Sequence, residues 1–336
     1  MRAMILCAGL GTRLRPLTHR WPKPAIPLLG QPLFRYNLAV LRAAGVREVA
    51  INTHHLPEVM RACAEEECAR FAMPLTVVHE PEIQGTGGGV RGLRAFLERD
   101  DFLVLNGDIL FAVALAPIVA AHRASAAAAT LVLMPMPAGA SYAAVEADPD
   151  LRIRRIAGHG PGGSPLSRWH FTGVHLMSPA VFDFMSPHGE EDINRGVYVR
   201  MMEAGRVLRG HVVDAAWSDL GTPARYLATQ QDLLYGRVPG DAFPGASPFQ
   251  ANGARVRGEG IVPPALVDGA ARVGVGAVIG PGAYVSGDAA IGARARLMRC
   301  TVLGETLIEP GEEVSDVIAW GPHRIPAGAE APSSLA

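Results

Sequence analysis

The feature that most limits the possible folds is a six-residue repeat in the last quarter of this 336-residue chain. Aliphatic side chains recur at every sixth position and are often followed by glycine. The in-phase positions are Val267, Val273, Ile279, Val285, Ile291 and Leu297, and after a one-residue slip the period resumes at Val302, Ile308 and Val314. This period predicts a left-handed parallel β-helix, in which each hexamer forms one side of a coil and its apolar residue points inward. A disordered tail rich in Gly and Ala would not keep aliphatic residues in register.

The first two thirds of the chain has a different pattern, in which short apolar runs alternate with longer amphipathic segments. This alternation predicts strands separated by crossover helices, as in an α/β fold with a mostly parallel sheet. The predicted strands are Ala3–Cys7, Glu48–Asn52, Leu75–His79, Phe102–Leu105, Thr130–Met136, Ala143–Glu146, Phe171–Leu176 and Arg206–Val213. The predicted helices include Leu33–Ala44, stopped by Gly45, with Pro57–Phe71 and a last one near Pro223–Tyr235.

A change in composition separates these two patterns. The sequence from Gly236 to about Gly260 is rich in Pro and Gly without clear periodicity, which is typical of a linker. We therefore predict an α/β domain over 1–235, a linker over 236–260, the β-helix over 261–326 and a tail over 327–336.

The charges nearly cancel, with 31 basic against 32 acidic residues, so no overall field attracts nucleic acid or an anionic membrane. The early apolar stretch Met4–Ala8 is far shorter than the roughly 18 residues of a membrane helix, and we expect a cytoplasmic protein. The four cysteines contain no CxxC pair, so neither a disulfide framework nor a zinc site is indicated.

The strongest chemical signal lies at the start of the chain, where the first strand runs into the segment Ala8-Gly9-Leu10-Gly11-Thr12-Arg13. Two glycines let the backbone approach a phosphate chain and offer its N–H groups, while Arg13 and Lys23 can neutralise phosphate charge. The third glycine of the dinucleotide fingerprint is missing, since Leu14 stands there, and no Gly-Lys-Ser/Thr closes a Walker loop. We interpret the segment as a phosphate cradle of another kind.

Four segments along the chain resemble the signature of the sugar-phosphate nucleotidylyltransferases, also called NDP-sugar pyrophosphorylases. They are Leu6–Thr18 continuing to Pro22-Lys23-Pro24 and Pro27, then Gln84–Gly89, Asn106-Gly107-Asp108, and Trp217–Pro223. The resemblance implies a Rossmann-like mixed, mostly parallel sheet with helices on both faces. It also implies an enzyme that joins a nucleoside triphosphate to a sugar 1-phosphate with release of pyrophosphate. Cys7 stands where the family commonly has Ala, and we expect it to be a small buried side chain.

The resemblance also implies the roles of individual residues. Asp108 and Asp219 match the residues that hold the family's Mg²⁺, a cation that prefers hard oxygen ligands. With Arg13 and Lys23 they form the predicted catalytic set, in which Lys23 lies near the reacting phosphates and Arg13 holds the leaving pyrophosphate. The predicted nucleotide contacts are Ala8, Gly9, Gly11, Thr12, Arg13, Gln84, Thr86, Gly87, Gly88 and Gly107. Gly85–Gly89 resembles the loop over which the nucleotide base lies; a turn before a helix is the alternative.

The sugar side is less well determined. Tyr142 and Val145 lie in a stretch similar to the family's Tyr-Gly-Val-Val, but the Glu-Lys-Pro that often follows is absent. The predicted sugar contacts are Tyr142, Thr172, Gly173 and Asp192. Asp192 fits equally well as the first residue of a helix.

The combination of an α/β domain and a β-helix is similar to mannose-1-phosphate guanylyltransferases and favours GTP with mannose 1-phosphate or a manno-heptose 1-phosphate. The Thr86-Gly-Gly-Gly stretch and the missing Glu-Lys-Pro are closer to UTP-dependent N-acetylmuramate-1-phosphate uridylyltransferase. A non-catalytic NDP-sugar-binding regulatory subunit is a further alternative. An acetyltransferase site in the β-helix is disfavoured because no catalytic His is evident among its few coils. We expect a homo-oligomer, associated through the β-helix.

Overall fold

A computed structural model of the chain describes residues 1–137, 142–239, 241–247, 249 and 258–328. The chain folds into two compact units, each built from two segments. Unit 1 consists of Met1–Leu10 with Asn37–Trp217, and unit 2 consists of Gly11–Tyr36 with Ser218–Ala336. In the described ranges, no helix is long and apolar enough to cross a membrane.

The helices and strands are numbered in chain order. The helices are α1 (Leu33–Ala43), α2 (Pro57–Arg70), α3 (Gly85–Gly92), α4 (Arg94–Leu97), α5 (Leu115–Ala124), α6 (Tyr198–Glu203) and α7 (Pro223–Leu234). The strands up to Asp219 are β1 (Arg2–Leu6), β2 (Pro27–Leu28), β3 (Gln31–Pro32), β4 (Glu48–Thr53), β5 (Leu75–His79), β6 (Phe102–Asn106), β7 (Ile109–Phe111), β8 (Ala129–Pro135), β9 (Val145–Ala147), β10 (Ile153–Ile156), β11 (Ser167–Met177), β12 (Leu208–Val212) and β13 (Trp217–Asp219). The C-terminal strands are β14 (Ala265–Val267), β15 (Arg272–Val273), β16 (Val278–Ile279), β17 (Ala283–Val285), β18 (Ala290–Ile291), β19 (Arg296–Met298), β20 (Thr301–Leu303), β21 (Leu307–Ile308), β22 (Glu313–Ser315), β23 (Val317–Trp320) and β24 (His323–Pro326).

Unit 1 is built around one mixed sheet in the order β10-β9-β11-β6-β1-β4-β5, with β8 paired to β11 and β12 paired to β8. The four strands β6, β1, β4 and β5 run parallel to one another. The long strand β11 runs antiparallel to β6, β8 and β9. Ala3, Met4 and Ile5 of β1 are all fully buried. Both faces of this strand are therefore covered, as a continuous apolar run in a parallel sheet requires. The predicted Rossmann-like sheet is confirmed.

Most predicted elements of unit 1 are present within two residues at each end. The largest shift is in β11, which begins at Ser167, four residues before the predicted Phe171, because it also pairs with β9 through Ser167–Trp169. Helix α1 ends at Ala43, and Gly45 follows with φ +80°, a left-handed conformation that glycine adopts readily. The stop signal predicted at this glycine is confirmed.

The C-terminal part of unit 2 is the predicted parallel β-helix. Three ladders of short strands form its sides, namely β14-β17-β20-β23, β15-β18-β21 and β16-β19-β22. Ala265 pairs with Ala283, eighteen residues on, whereas Val285 pairs with Val302, seventeen residues on. The one-residue slip in the repeat is therefore a coil that is one residue shorter. The repeating aliphatic residues, except the half-buried Val273, are buried in the shaft.

Helix α7 packs against the β-helix within the same unit. Gln230 Nε2 donates to the carbonyl oxygen of Cys300 at 3.0 Å, and Gln231 Nε2 donates to that of Gly282 at 2.8 Å. The helix begins after Thr222, whose hydroxyl accepts from the backbone N–H of Arg225 at 3.3 Å. Packing thus groups α7 with the β-helix, although the predicted domain boundary follows it at 235. That boundary stays a prediction, and parts of the predicted linker and tail lie outside the described residues.

Candidate active site

In unit 1, the carboxyl ends of β1 and β6 bring two predicted segments together. The N–H of Gly107 donates to the carbonyl oxygen of Leu6 at 3.0 Å, which ties the turn after β6 to the end of β1. Asn37 Nδ2 donates to the carbonyl oxygen of Gly107 at 3.4 Å. Asp108 follows in this turn and is half-buried, so its carboxylate stands at the edge where open α/β sheets bind ligands.

The residues that follow β1 are at the same edge. Ala8 is buried and Gly9 is exposed, and a Cβ added to Gly9 would meet no atom within 4 Å. Packing in this structure therefore does not require glycine at position 9, and the space beside it is open to a ligand. Cys7 is fully buried, and burial raises the pKa of its thiol well above the usual value. The thiol is consequently neutral, in agreement with the expected small buried side chain.

A buried chain of polar groups connects the end of β1 to the start of α3. Asn52 Oδ1 accepts from the N–H of Cys7 at 2.9 Å, and Asn52 Nδ2 donates to Glu80 Oε1 at 2.8 Å. Glu80 Oε2 accepts from the N–H of Gln84 at 3.0 Å. Asn52 and Glu80 are only 2% and 5% exposed. Sequence reasoning missed both residues; the only signal was that a polar residue ends or follows each of two otherwise apolar strands.

The segment expected to be a base-binding loop is the first part of helix α3, so the predicted loop is wrong. Its glycines allow close packing instead of flexibility. The N–H groups of Gly87 and Gly88 donate to the carbonyl oxygen of Glu191 at 2.8 and 3.3 Å. A Cβ on Gly89 would lie 2.7 Å from Asn52 Nδ2 and 3.1 Å from Glu80 Oε1. Tertiary contacts therefore override the weak helix propensity of glycine.

Further contacts hold the predicted nucleotide residues of α3 against the segment around Glu191. Thr86 Oγ1 accepts from the N–H of Ile193 at 2.9 Å, and the carbonyl oxygen of Gln84 accepts from the N–H of Glu191 at 2.9 Å. Burial would raise the pKa of Glu191, but hydrogen bonds from Ser186 and Arg200 outweigh it and hold the pKa below the usual value. The roles of Gln84, Thr86, Gly87 and Gly88 toward a nucleotide stay predictions.

On the predicted sugar side, β11 is interrupted beside the end of β6. Its pairing with β8 has an irregularity between Phe171 and His175. Gly173 has φ +86° there, and a Cβ on it would lie 2.8 Å from Asn106 Nδ2, two residues before Asp108. Gly173 therefore belongs to the same sheet edge as Asp108. Thr172 is fully buried and its hydroxyl donates to the carbonyl oxygen of Val132 at 2.9 Å, so this side chain points into the sheet.

Three rings cluster beside this interruption. The His170 ring centroid lies 4.4 Å from that of Tyr142 and 4.4 Å from that of Trp217. Trp217 Nε1 donates to the carbonyl oxygen of Thr172 at 2.7 Å, which compensates for the lost ladder bond. Tyr142 therefore packs with His170 and Trp217 beside this interruption, and its role toward the sugar stays a prediction.

Asp192 acts as a helix cap. Its Oδ1 accepts from the N–H groups of Asn194 and Arg195, both at 2.8 Å, at the start of the short π-helical turn Ile193–Val197. The alternative interpretation of this residue as a helix-start aspartate is thus observed. A role toward the sugar stays a prediction.

Unit 2 contains the second part of the glycine-rich segment, from Gly11 onward, and the two cations Arg13 and Lys23. Gly11 is left-handed, with φ +61°, and a Cβ there would lie 2.8 Å from Thr18 Cγ2 and 3.5 Å from Lys23 Cβ. Thr18 Oγ1 donates to the carbonyl oxygen of Gly11 at 3.2 Å. The loop therefore closes tightly on itself and fixes the stem of Lys23 against Gly11, while Thr12 and Arg13 are exposed.

Asp219 lies in a cluster of charged side chains around Gly221, also in unit 2. Arg225 Nη1 lies 2.6 and 2.7 Å from the two carboxylate oxygens of Asp219. A Cβ on Gly221 would lie 3.3 Å from Arg13 Nη2, 3.4 Å from Arg225 Nη1 and 3.5 Å from Asp219 Oδ1. The two guanidinium groups of Arg13 and Arg225 thus lie near Gly221, and guanidinium groups suit the binding of phosphate. Sequence reasoning missed Arg225, because a single arginine in a helix carries no pattern.

Comparisons with known proteins agree with this architecture. A mannose-1-phosphate guanylyltransferase of Mycobacterium tuberculosis is 32% identical over 85% of this chain and 78% of its own length. A UTP–glucose-1-phosphate uridylyltransferase of Synechocystis sp. is 29% identical over 73% of this chain and 66% of its own length. The crystal structure of HddC from Yersinia pseudotuberculosis complexed with GMP-PN shares the fold, with a TM-score of 0.57 and 20% identity over 69% of this chain and 98% of that one. The model of the nucleotidyl transferase family matches residues 2–235. The chain belongs to the nucleotidyl transferase family and is a sugar-phosphate nucleotidyltransferase.

Proposed function

We propose that this enzyme forms an NDP-sugar and pyrophosphate from a nucleoside triphosphate and a sugar 1-phosphate, with GTP and mannose 1-phosphate or a manno-heptose 1-phosphate as the favoured pair. The observation that carries the proposal is the closed loop of unit 2, in which Gly11, Thr18 and Lys23 pack together and Arg13 is left exposed. Such a loop presents backbone N–H groups and two cations to a phosphate chain. The 32% identity to a mannose-1-phosphate guanylyltransferase supports the choice of substrates.

The reaction needs charge neutralisation more than it needs a base. A sugar 1-phosphate is largely a dianion near neutral pH, because its second pKa is about 6. One of its oxygens attacks the α-phosphorus in line, a new P–O bond forms, and the bond from the α-phosphorus to the bridging oxygen breaks. The electron pair of that bond leaves with pyrophosphate. Lys23 offsets the charge of the reacting phosphates, and Arg13 binds the departing pyrophosphate.

Asp108 and Asp219 are the proposed ligands of Mg²⁺. Carboxylate oxygens are the donors this ion prefers, and one or two of them with substrate phosphates and water make a usual site. The half-buried Asp108 at the sheet edge fits that donor set. Asp219 fits as well, although Arg225 contacts both of its oxygens and would have to share them. When bound, the ion would neutralise phosphate charge and orient the two substrates.

A second nucleotide is supported by a separate observation. The Synechocystis relative, at 29% identity, is named as a UTP-dependent enzyme, so UTP is the alternative to GTP. A UTP-dependent enzyme similar to N-acetylmuramate-1-phosphate uridylyltransferase is the corresponding alternative function. Arg13, Lys23, Asp108 and Asp219 are all present, which disfavours a non-catalytic regulatory subunit.

A pyrophosphate-release screen with Mg²⁺ tests the proposal. It crosses GTP, UTP, CTP, dTTP and ATP with mannose, glucose, manno-heptose and N-acetylmuramic acid 1-phosphates. We expect release with GTP and a manno-configured sugar phosphate. Release only with UTP would mean that UTP, and not GTP, is the nucleotide substrate. If folded protein releases no pyrophosphate with any pair but still binds an NDP-sugar, the regulatory subunit is favoured instead. Self-association through the β-helix and a cytoplasmic location stay predictions, the first testable by light scattering.

A further inference from the structure

The β-helix contacts the phosphate loop within unit 2. Trp320 ends β23 in the last coil, and its ring centroid lies 5.4 Å from that of Trp21, at an angle of 55°. His323 stacks on Trp320 with a centroid distance of 5.4 Å and an angle of 26°. Trp21 is therefore part of a row of three rings, two of which belong to the β-helix.

Trp21 lies two residues before Lys23, in a stretch of tight turns. The N–H of Trp21 donates to the carbonyl oxygen of Leu17 at 3.0 Å, and the N–H of Ala25 donates to that of Pro22 at 2.8 Å. These bonds close the chain into successive short turns around Lys23. A displacement of the Trp21 ring would thus move the backbone of Lys23.

The other side of Lys23 is fastened in a similar way. The Tyr226 hydroxyl, from α7, donates to the carbonyl oxygen of Pro27. Gly30 lies against Tyr284 of β17, and a Cβ on Gly30 would lie 2.5 Å from the Tyr284 hydroxyl oxygen. Lys23 therefore lies between two attachment points, Trp21 toward the N-terminal side and Pro27 toward the C-terminal side. Both attachments come from residues beyond Asp219.

We propose that the β-helix is a structural part of the phosphate site, and that Trp320 is a positioning residue that acts through Trp21 on Lys23. Trp320 itself need not touch the substrate. Trp320 contributes by fixing the position of Lys23. A small displacement of a charged group that holds reacting phosphates strongly weakens its interaction with them. This inference rests on the proposed function, because it assigns Lys23 to the triphosphate.

The test measures the binding of GTP and of UTP by calorimetry in Trp320→Ala, with and without a second change, Lys23→Ala. We expect Trp320→Ala to weaken binding of the triphosphate used in turnover by about tenfold. In the Lys23→Ala background the same change should have almost no effect, because the group being positioned is gone. Trp320→Phe should restore most of the affinity. Leu307→Ala, at a side chain of the β-helix that is 53% exposed, is the matched control and should bind as the wild type does.

If the circular dichroism spectrum of Trp320→Ala shows that it is unfolded, Trp320→Leu, which retains apolar volume, is used in its place. Contact between Trp21 and Trp320 has its own signature, an exciton couplet in circular dichroism that disappears in Trp21→Phe and in Trp320→Phe alike. Unchanged affinity in both folded variants would overturn the inference, as would an equal loss with and without Lys23. If the wild type binds neither triphosphate and catalyses no pairing in the screen, the proposed function fails and the inference fails with it. Active wild type with unaffected variants refutes the inference alone.

Discussion

Unit 1 and unit 2 hold their own predicted functional residues by different means. In unit 1, strand register places Asp108, and the Asn52–Glu80 pair joins β1 to α3 through buried hydrogen bonds. In unit 2, Lys23 begins the short 3-10 turn Lys23–Ala25 in a loop, and aromatic side chains of α7 and the β-helix hold that loop. A residue at a strand end is positioned by the sheet itself, whereas a loop residue needs attachments from elsewhere in the chain.

The two units also differ in the changes to which they are sensitive. Buried polar networks are sensitive to the loss of a single donor or acceptor, and they contain groups that titrate. The tyrosines that fasten the loop of unit 2 do not ionise under ordinary conditions, since burial raises the pKa of Tyr226 and Tyr284 far above the usual value. We therefore expect unit 1 to respond to single polar changes and to acid, and the loop of unit 2 to respond to the loss of ring contacts.

The largest effect is expected for Asp108→Asn, which keeps the size of the side chain but removes the charge of a proposed magnesium ligand. Turnover should fall by more than about 10³-fold, since metal stabilisation of the transition state is worth several kcal/mol. Thermal unfolding should be unchanged. Asp100→Asn, at an exposed carboxylate just before the opposite end of β6, is the control and should retain activity. Pyrophosphate release measures both variants, and an active Asp108→Asn enzyme would refute the metal assignment.

The next largest effect tests the buried network of unit 1. Glu80→Ala leaves Asn52 Nδ2 and the N–H of Gln84 without their acceptor, and we expect a loss of about 1–3 kcal/mol in the free energy of unfolding. Glu80→Gln keeps one acceptor and should lose less. Urea unfolding of these variants beside Glu82→Ala, at an exposed glutamate, gives the comparison. Equal stability of all three would mean that the network contributes nothing to the fold.

A pair of glycine substitutions in α3 sharpens the same point. Gly89→Ala would place a Cβ 2.7 Å from Asn52 Nδ2, and we expect a destabilisation of about 1–3 kcal/mol from overpacking. Gly92→Ala meets only Val78 Cγ1 at 3.9 Å and should be neutral or more stable by up to about 1 kcal/mol, because alanine favours helix. Both free energies come from urea unfolding. Similar values for the two variants would indicate that the close packing of α3 is unimportant.

The most gradual effect concerns acid. Burial lowers the pKa of His175 from 6.5 to about 3, while its Nδ1 lies 2.8 Å from the Tyr198 hydroxyl oxygen. The unfolded chain binds the proton first, so this stability is present above about pH 6.5 and is lost as the pH falls towards 3. Between pH 6 and 4 the loss should be about 1.4 kcal/mol per pH unit. His175→Asn should flatten the slope of unfolding free energy against pH by that amount; an unchanged slope would contradict the prediction.

Periodic patterns in the sequence predicted most of the fold. Alternating apolar runs predicted the sheet of unit 1, and the six-residue period predicted even the shortened coil, because each aliphatic position must point into the shaft. Helix α3 was missed because its glycines predict a loop locally, and only contacts with Glu191 and Asn52 make the helix possible. The glycine-rich turn pointed to Arg13 and Lys23 as phosphate-binding residues, whereas the predicted roles of Asp108 and Asp219 came from the resemblance to the family. Glu80 and Trp320 were missed because their partners Asn52 and Trp21 are distant in sequence. Arg225 was missed because a single arginine in a helix carries no pattern.

The last hairpin of the β-helix ends one of its three ladders of parallel strands. β24 returns antiparallel to β23, with Ile318 opposite Ile325, instead of continuing the parallel ladder. The new outer edge carries charged Arg324 and ends in Pro326, which has no N–H to offer another strand. A solenoid left open at this ladder would be a template for polymerisation through added strands. Here, among the described residues, the antiparallel strand β24 covers the edge of β23, so this ladder offers no parallel edge to a further strand.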